Sequence, residues 1–382
     1  MSPFLKVKSE VKLVLRARRS IQRLKKNRKG PVTVFLILGT IVEVKNGGFI
    51  LKFESIEKAF QLLDETANII EQECNCTYLE ALAETAENIF HQAILQEDVS
   101  EMTKRRLLKQ YDSVSFTQFD SETIRKAYQL AILKGMKKNT QANHQMTPDS
   151  IGLFISYLVR KCMEGQEHFR LFDPAVGTAN LLLTILQQFD REMITSIGID
   201  VDDLLVKLAY SGANLMEYSI ELYNGDSIRP LLIDPVDVVV SDLPIGYYPD
   251  DERAKEFDVK SDSEEEHTYA HHLIIEQSVR HLKDGGYGIF IVPNSIFQSS
   301  QATLLQQFLK KDTYIQGLVA LPISLFKNEN AAKSVLIVQK KKENLQPPKN
   351  ALLVQLPKMS DAHAMQNILK QMDQWFKEEK QK

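Results

Sequence analysis

From Phe169 to Lys340 the chain repeats one unit, a short run of mostly apolar residues followed by a helical stretch. The runs are Phe169–Asp173, Ser196–Asp200, Ile220–Asn224, Val236–Ser241, Tyr287–Val292, Ile315–Leu321 and Ser334–Lys340. Several are continuously apolar rather than alternating, the pattern of strands buried on both faces in a parallel sheet covered by helices. Helical stretches separate the first six, the weakest between the third and fourth. The last connection, Pro322–Lys333, is too short and irregular for a crossover helix, which predicts an antiparallel final pair. The expected fold is α/β: a Rossmann-like, doubly wound sheet of seven strands, six parallel and the last reversed.

The upstream residues follow a different period. Between Ile56 and Lys138 apolar residues recur at spacings of three and four, as at Ile56, Ala59, Phe60, Leu63, Ala67 and Ile70. Further helices are expected near Tyr78–Glu97 and Asp120–Lys137, giving an all-helical N-terminal domain. Thr147-Pro148-Asp149-Ser150 then opens a helix: Thr147 can cap it, Pro148 suits its first position, and Asp149 suits its positive end. The expected boundaries are a basic extension over residues 1–50, a helical domain over 51–140, the sheet domain over 141–345, and a C-terminal strand and helix tail over 346–382.

Charge is unevenly placed. The 382 residues sum to −3, but the first thirty hold eleven Lys and Arg against one acid, Glu10, leaving −13 for the rest. So acidic a body is a poor match for duplex DNA, whose binding rests on Lys and Arg meeting phosphates. Val32–Val44 is apolar but shorter than the roughly 20 residues a membrane span needs, and no small-residue cleavage site follows it. A strand, a peripheral anchor or an extension outside the fold remain, the extension being favoured. Three cysteines exclude a disulfide framework, and Cys74 and Cys76 lack a second pair for zinc. A cytoplasmic location and no bound metal are expected.

Four strand ends carry polar motifs, and open α/β sheets bind ligands at those ends. The first is Asp173-Pro174-Ala175-Val176-Gly177-Thr178-Ala179-Asn180, an acid and a tight turn into a helix, where Gly177 admits a ligand close to the backbone. It lacks G-x-G-x-x-G, so a dinucleotide pyrophosphate has no cradle. The second is Asp200-Val201, 27 residues past Asp173, placed to accept hydrogen bonds from ribose hydroxyls. The third is Asn224-Gly225-Asp226-Ser227, in which Asp226 is placed for an adenine amino group. The fourth is Ser241-Asp242-Leu243-Pro244-Ile245-Gly246-Tyr247-Tyr248. Each alone also fits an ordinary corner or turn; four in succession do not.

In this order the motifs resemble those of the S-adenosylmethionine-dependent N6-adenine DNA methylases, especially the modification subunits of type I restriction systems. Thr147-Pro148 is similar to the family's T-P start, Asp173 to Ala179 to its D-P-x-x-G-[ST]-G loop, and Ser241 to Gly246 to its [DN]-P-P-[FY]-G loop. Lys283-Asp284-Gly285-Gly286-Tyr287-Gly288, Pro293-Asn294-Ser295 and the segment from Leu321-Pro322 to Phe326 resemble later family elements. The chain looks closest to the YtxK-like branch found in Firmicutes. The resemblance implies a methyltransferase sheet, S-adenosyl-L-methionine as cofactor, and N-methyl transfer to adenine in DNA. It implies cofactor contacts at Thr147, Asp173, Pro174, Ala175, Gly177, Thr178, Asn180, Asp200, Val201, Asp226, Ser227 and Asp242. It places the chemistry on Asp242, Leu243, Pro244, Ile245 and Tyr247. Asp242 would accept one N–H of the target amine and the Leu243 carbonyl the other.

Three positions depart from the family pattern. Leu243 replaces a proline, Ile245 replaces the aromatic that stacks on the flipped base, and Ala179 replaces a glycine. Tyr247 or Tyr248 is the candidate replacement aromatic. Asp250–Glu266 adds nine acids and three bases beside the catalytic loop, a solvated loop or a lid. Few residues follow Lys340 for a target-recognition domain. His267, His271 and His272 are expected on a helix surface. RNA or a protein glutamine remain alternative acceptors, a cofactor-binding protein with impaired catalysis a third reading, and the oligomeric state stays open.

Overall fold

The computed structural model describes the backbone of residues 34–37, 40–43, 48–138, 146–263 and 265–380, with side chains from 53 to 379 within those ranges. The basic run over residues 1–30 lies outside the described residues. Val34–Ile37 (β1) and Thr40–Glu43 (β2) pair antiparallel. Helices α1 (Gly48–Cys74), α2 (Tyr78–His91), α3 (Glu101–Ser113) and α4 (Ser121–Lys138) form the N-terminal helical region. Thr77 and Glu80 start α2 with a reciprocal capping box, which satisfies backbone donors that have no partner inside the helix. After α5 (Asp149–Cys162) come the strands β3 (Phe169–Asp173), β4 (Ile194–Asp200), β5 (Ile220–Asn224), β6 (Val236–Asp242), β7 (Leu282–Pro293), β8 (Thr313–Ala320), β9 (Lys333–Lys340) and β10 (Leu352–Gln355).

These eight strands form one sheet in the order β10-β8-β9-β7-β6-β3-β4-β5. β9 runs antiparallel to both β7 and β8, so the reversed final pair is borne out. The sheet has one strand more than the seven expected, because Leu352–Gln355 adds parallel to β8 beyond it. Crossovers run through α6 (Asn180–Leu186), α7 (Asp203–Leu215), α8 (Asp251–Ala254) with α9 (Ala270–His281), and α10 (Ala302–Asp312). No helix joins β5 to β6. The chain winds from β3 outward to β5, then returns to lay β6 on the other side of β3. That reversal opens a crevice at the carboxyl ends of β3 and β6.

Alternate residues of each strand feed opposite faces, as the two-residue period requires. Val238, Val240, Ile289 and Ile291 join the core shared with α5, α6, α7 and the helical region. Val239, Phe290 and Val292 join the core under α9 and α10. The helical region docks on α7. Tyr128 Oη meets Ser211 Oγ at 2.8 Å, and a Cβ on Gly212 would lie 2.8 Å from the Tyr128 ring. The C-terminal helix α11 (Ala362–Lys380) closes the same face, with Tyr157 donating to Asp373 at 2.9 Å.

Candidate active site

The four sequence motifs converge on the carboxyl edge of the sheet. Asp173 ends β3 and is 1% exposed. Its Oδ1 accepts from Ser241 Oγ at 2.7 Å and from the Ala175 amide at 3.1 Å. Burial pushes its carboxyl up to about 7, against these hydrogen bonds, and the nearby Asp200 and Asp242 push the same way. The first and fourth motifs, 68 residues apart, are thus one hydrogen-bonded unit.

The turn after β3 carries Pro174, Ala175, Gly177 and Thr178. Gly177 has φ +53, and an added Cβ would meet nothing within 4 Å, so its backbone borders open space. Its amide donates to Asp200 Oδ2 at 2.8 Å, and the Asp202 amide donates to Asp200 Oδ1 at 3.1 Å. Val201, next along, is 69% exposed at the rim of that space. Ala179 holds φ +59 immediately before α6. A methyl-bearing residue in the left-handed region costs about 1–2 kcal/mol, so the missing glycine is tolerated with the turn geometry kept. Asp226 and the buried Ser227 follow β5. Asp226 takes the Ile228 amide on one oxygen at 2.9 Å and the Tyr248 hydroxyl on the other at 2.5 Å.

Asp242 closes β6. Thr147 Oγ1 donates to its Oδ2 at 2.9 Å, and Lys333 Nζ to its Oδ1 at 2.6 Å. Thr147 is therefore not the cap of α5. Pro148 occupies that position, where its side chain has no polar atom to cap with, and the Thr147 hydroxyl bonds Asp242 instead. Asp149 carries more than a helix dipole: Arg125 of α4 grips its carboxylate at 3.0 and 2.9 Å, and Gln129 adds a bond at 2.6 Å. Arg125 also reaches Asn180 Oδ1 at 3.4 Å, and Asn180 Nδ2 donates to the Thr147 carbonyl at 2.8 Å. A buried polar chain runs from the helical region to Asp242.

Beyond Asp242, Leu243 is buried while Pro244 and Ile245 lie on the surface. The two tyrosines diverge. Tyr248 is buried and committed to Asp226. Tyr247 is 52% exposed and stacks on Tyr269, with ring centroids 4.9 Å apart. The loop is pinned to the start of α9 by Tyr248 N to Thr268 O (2.8 Å) and Ala270 N to Gly246 O (2.9 Å).

Two further expectations are corrected. His271 and His272 are buried, not on a helix surface, and their rings pack against Tyr269 and each other at the start of α9. Burial pushes His271 down to about 4 and His272 to about 3. Neither His272 nitrogen has a partner among the described residues. His267 is exposed beside Asp251. The acidic segment is not merely a solvated loop. Phe257 and Val259 are buried, and the amides of Asp258 and Val259 donate to the buried Glu276 carboxylate at 3.0 and 2.9 Å. Among the described residues no cluster suited to a metal occurs, and no helix is long and apolar enough to cross a membrane.

Sequence reasoning missed Lys333 and Arg125. The first carried a legible sign: a reversed strand starts, rather than ends, at the carboxyl edge, so its first residue belongs there.

A sheet that reverses at β3 and β6 and sets acids at four successive strand ends defines a class I S-adenosylmethionine-dependent methyltransferase. More narrowly, the chain belongs to the N-6 DNA methylase family, whose model matches residues 120–381, and its helices match the YtxK N-terminal helical domain over residues 57–136. It is 46% identical over 328 residues to the uncharacterized protein YtxK of Bacillus subtilis, covering 86% of this chain and 99% of that one. It is similar to the crystal structure of a putative class I S-adenosylmethionine-dependent methyltransferase from Listeria monocytogenes, with 44% identity, TM-score 0.78, and 85% and 99% of the two chains covered. A type I restriction-modification methyltransferase subunit from Streptococcus thermophilus shares the fold at 16% identity and TM-score 0.60, with 83% and 74% covered. The cofactor of this family is S-adenosylmethionine, and the uncrowded backbone at Gly177, bonded to Asp200, leaves room for a ligand at these strand ends.

Proposed function

We propose that the protein methylates the N6 amine of adenine in DNA. The observation that carries this is the placement of Asp242 and Leu243 at the end of β6, hydrogen-bonded through Ser241 and Thr147 to the corner that fits the cofactor. Bound S-adenosylmethionine supplies an electrophilic methyl group on its sulfonium. Gly177, Thr178 and Asn180, with Pro174, Ala175 and Thr147 beside them, line its amino-acid end. Asp200 takes the ribose, Val201 packs on the adenine, and Asp226 with Ser227 takes the adenine amine.

An exocyclic amine is a poor nucleophile because its lone pair is delocalised into the ring. Asp242 accepts one of its N–H groups and the Leu243 carbonyl the other, which holds the nitrogen with its lone pair free for attack. The carboxylate also opposes the positive charge that develops on that nitrogen. Tyr247, exposed and backed by Tyr269, offers the aromatic face for a base turned out of the duplex, the part Ile245 cannot play.

The acidic segment Asp250–Glu266 opposes any phosphate backbone and so favours a second reading, in which the acceptor is a protein glutamine, with an RNA base as the remaining alternative. A tritiated-methyl assay with DNA, RNA and lysate protein separates these. Label on DNA is expected, abolished in Asp242→Ala while calorimetry keeps cofactor affinity within a few fold. Label on RNA or protein alone overturns the DNA acceptor. No label anywhere, with cofactor still bound, assigns the chain to cofactor-binding proteins without catalysis, the outcome the Leu243 and Ile245 departures would then explain.

A further inference from the structure

Both oxygens of Asp242 already accept a hydrogen bond, and the donor on Oδ1 is an ammonium, which leaves the carboxylate a weaker acceptor for a neutral amine. Lys333 Nζ lies 2.6 Å from Oδ1, with the lysine side chain only 16% exposed, while Thr147 holds Oδ2 at 2.9 Å. A neutral amine cannot take over from the ammonium on equal terms, because parting a largely buried ion pair leaves both charges uncompensated. The surroundings offer Lys333 no other anion: among the described residues Asp242 is its one ion-pair partner. His271, the titratable group near the ammonium on α9, is kept neutral by burial and supplies no counter-ion.

We infer that Lys333 determines which acceptors the site takes, admitting those that carry an anion of their own beside the amine. The inference rests on the DNA reading above, in which the phosphate flanking the flipped adenosine is that anion. Lys333 passes from Asp242 to the phosphate, and the carboxylate, no longer shared with an ammonium, becomes a stronger acceptor for the amine N–H. The same base without a phosphate would leave the ion pair closed. This also accommodates the acidic segment beside the site. The cation is withheld from the surface field and offered only where a phosphate sits against the catalytic loop.

The test uses the full chain, S-adenosylmethionine and two oligonucleotides of one sequence, one with ordinary linkages and one with uncharged methylphosphonates flanking the target adenine. The wild type is expected to favour the charged oligonucleotide at least tenfold in kcat/KM. Lys333→Met should lower that preference at least tenfold, partly by improved use of the neutral one, and Lys333→Arg should retain it. Thermal melting and cofactor calorimetry check that the variants fold. An unchanged preference in folded Lys333→Met overturns the inference and leaves the DNA reading standing. A wild-type preference near one overturns it without any variant. No label on either oligonucleotide overturns both.

Discussion

At the scale of single residues the site is built around a buried acid. Asp173 titrates near 7 in the fold because burial outweighs the bonds from Ser241 and Ala175. Its folded value lies above the unfolded one, so its contribution to stability is full below about pH 4 and is lost as pH rises through about 7. Asp173→Asn keeps an oxygen for both donors and removes the titration. The variant should melt at or above the wild-type temperature at pH 8 and lose that advantage at pH 5. A wild type that gains on the variant as pH rises would contradict this. Much of this scale was legible: Asp173, Gly177, Asp200 and Asp242 stand where their strand ends implied. Lys333 was missed although the reversed strand was expected, because that strand was taken to open at Ser334, which left Lys333 in the connection before it. The histidines misled because nothing in Tyr269–His272 reports that the Tyr269 ring packs against both of them in the fold.

At the scale of elements, the helical region is more than packing. Arg125 sits in the buried stripe of α4 with Ile124, Ala127 and Tyr128, and spends its charge on Asp149 at the start of α5. From there Asn180 and Thr147 extend the network to Asp242. Arg125→Met should cost about 3 kcal/mol, the low end for breaking a buried pair because Lys126 also contacts Asp149. Denaturant unfolding reads that cost, and a loss under 1 kcal/mol would place the pair among ordinary surface bridges. The amphipathic period of these helices was plain in the sequence. Their docking was not, since Arg125, Ser211 and Gly212 acquire meaning only when α4 meets α5 and α7.

At the scale of the whole molecule, one apolar core runs from α1 and α2 through α5 and α7 to β6 and β7. Two regions that share a core should unfold together. Calorimetry is expected to give one transition with matching calorimetric and van't Hoff enthalpies; two resolved peaks would show separable domains. The alternation of runs announced the sheet. A strand was expected in the tail over 346–382, but not that it joins the sheet as β10 beyond β8, because four residues carry too little pattern to name the strand they pair with.

The reversed strand β9 has a consequence for how such a sheet can change. Each parallel strand offers the ligand crevice the residue at its finish, followed by a loop that must turn back into a helix. β9 offers its opening residue, preceded by the hairpin at 321–332, which owes nothing to a crossover. That hairpin can lengthen or shorten without disturbing the strand order, and its last step is Lys333. A lineage adjusting its choice of acceptor would have there a hinge free of the winding that fixes every other wall of the site.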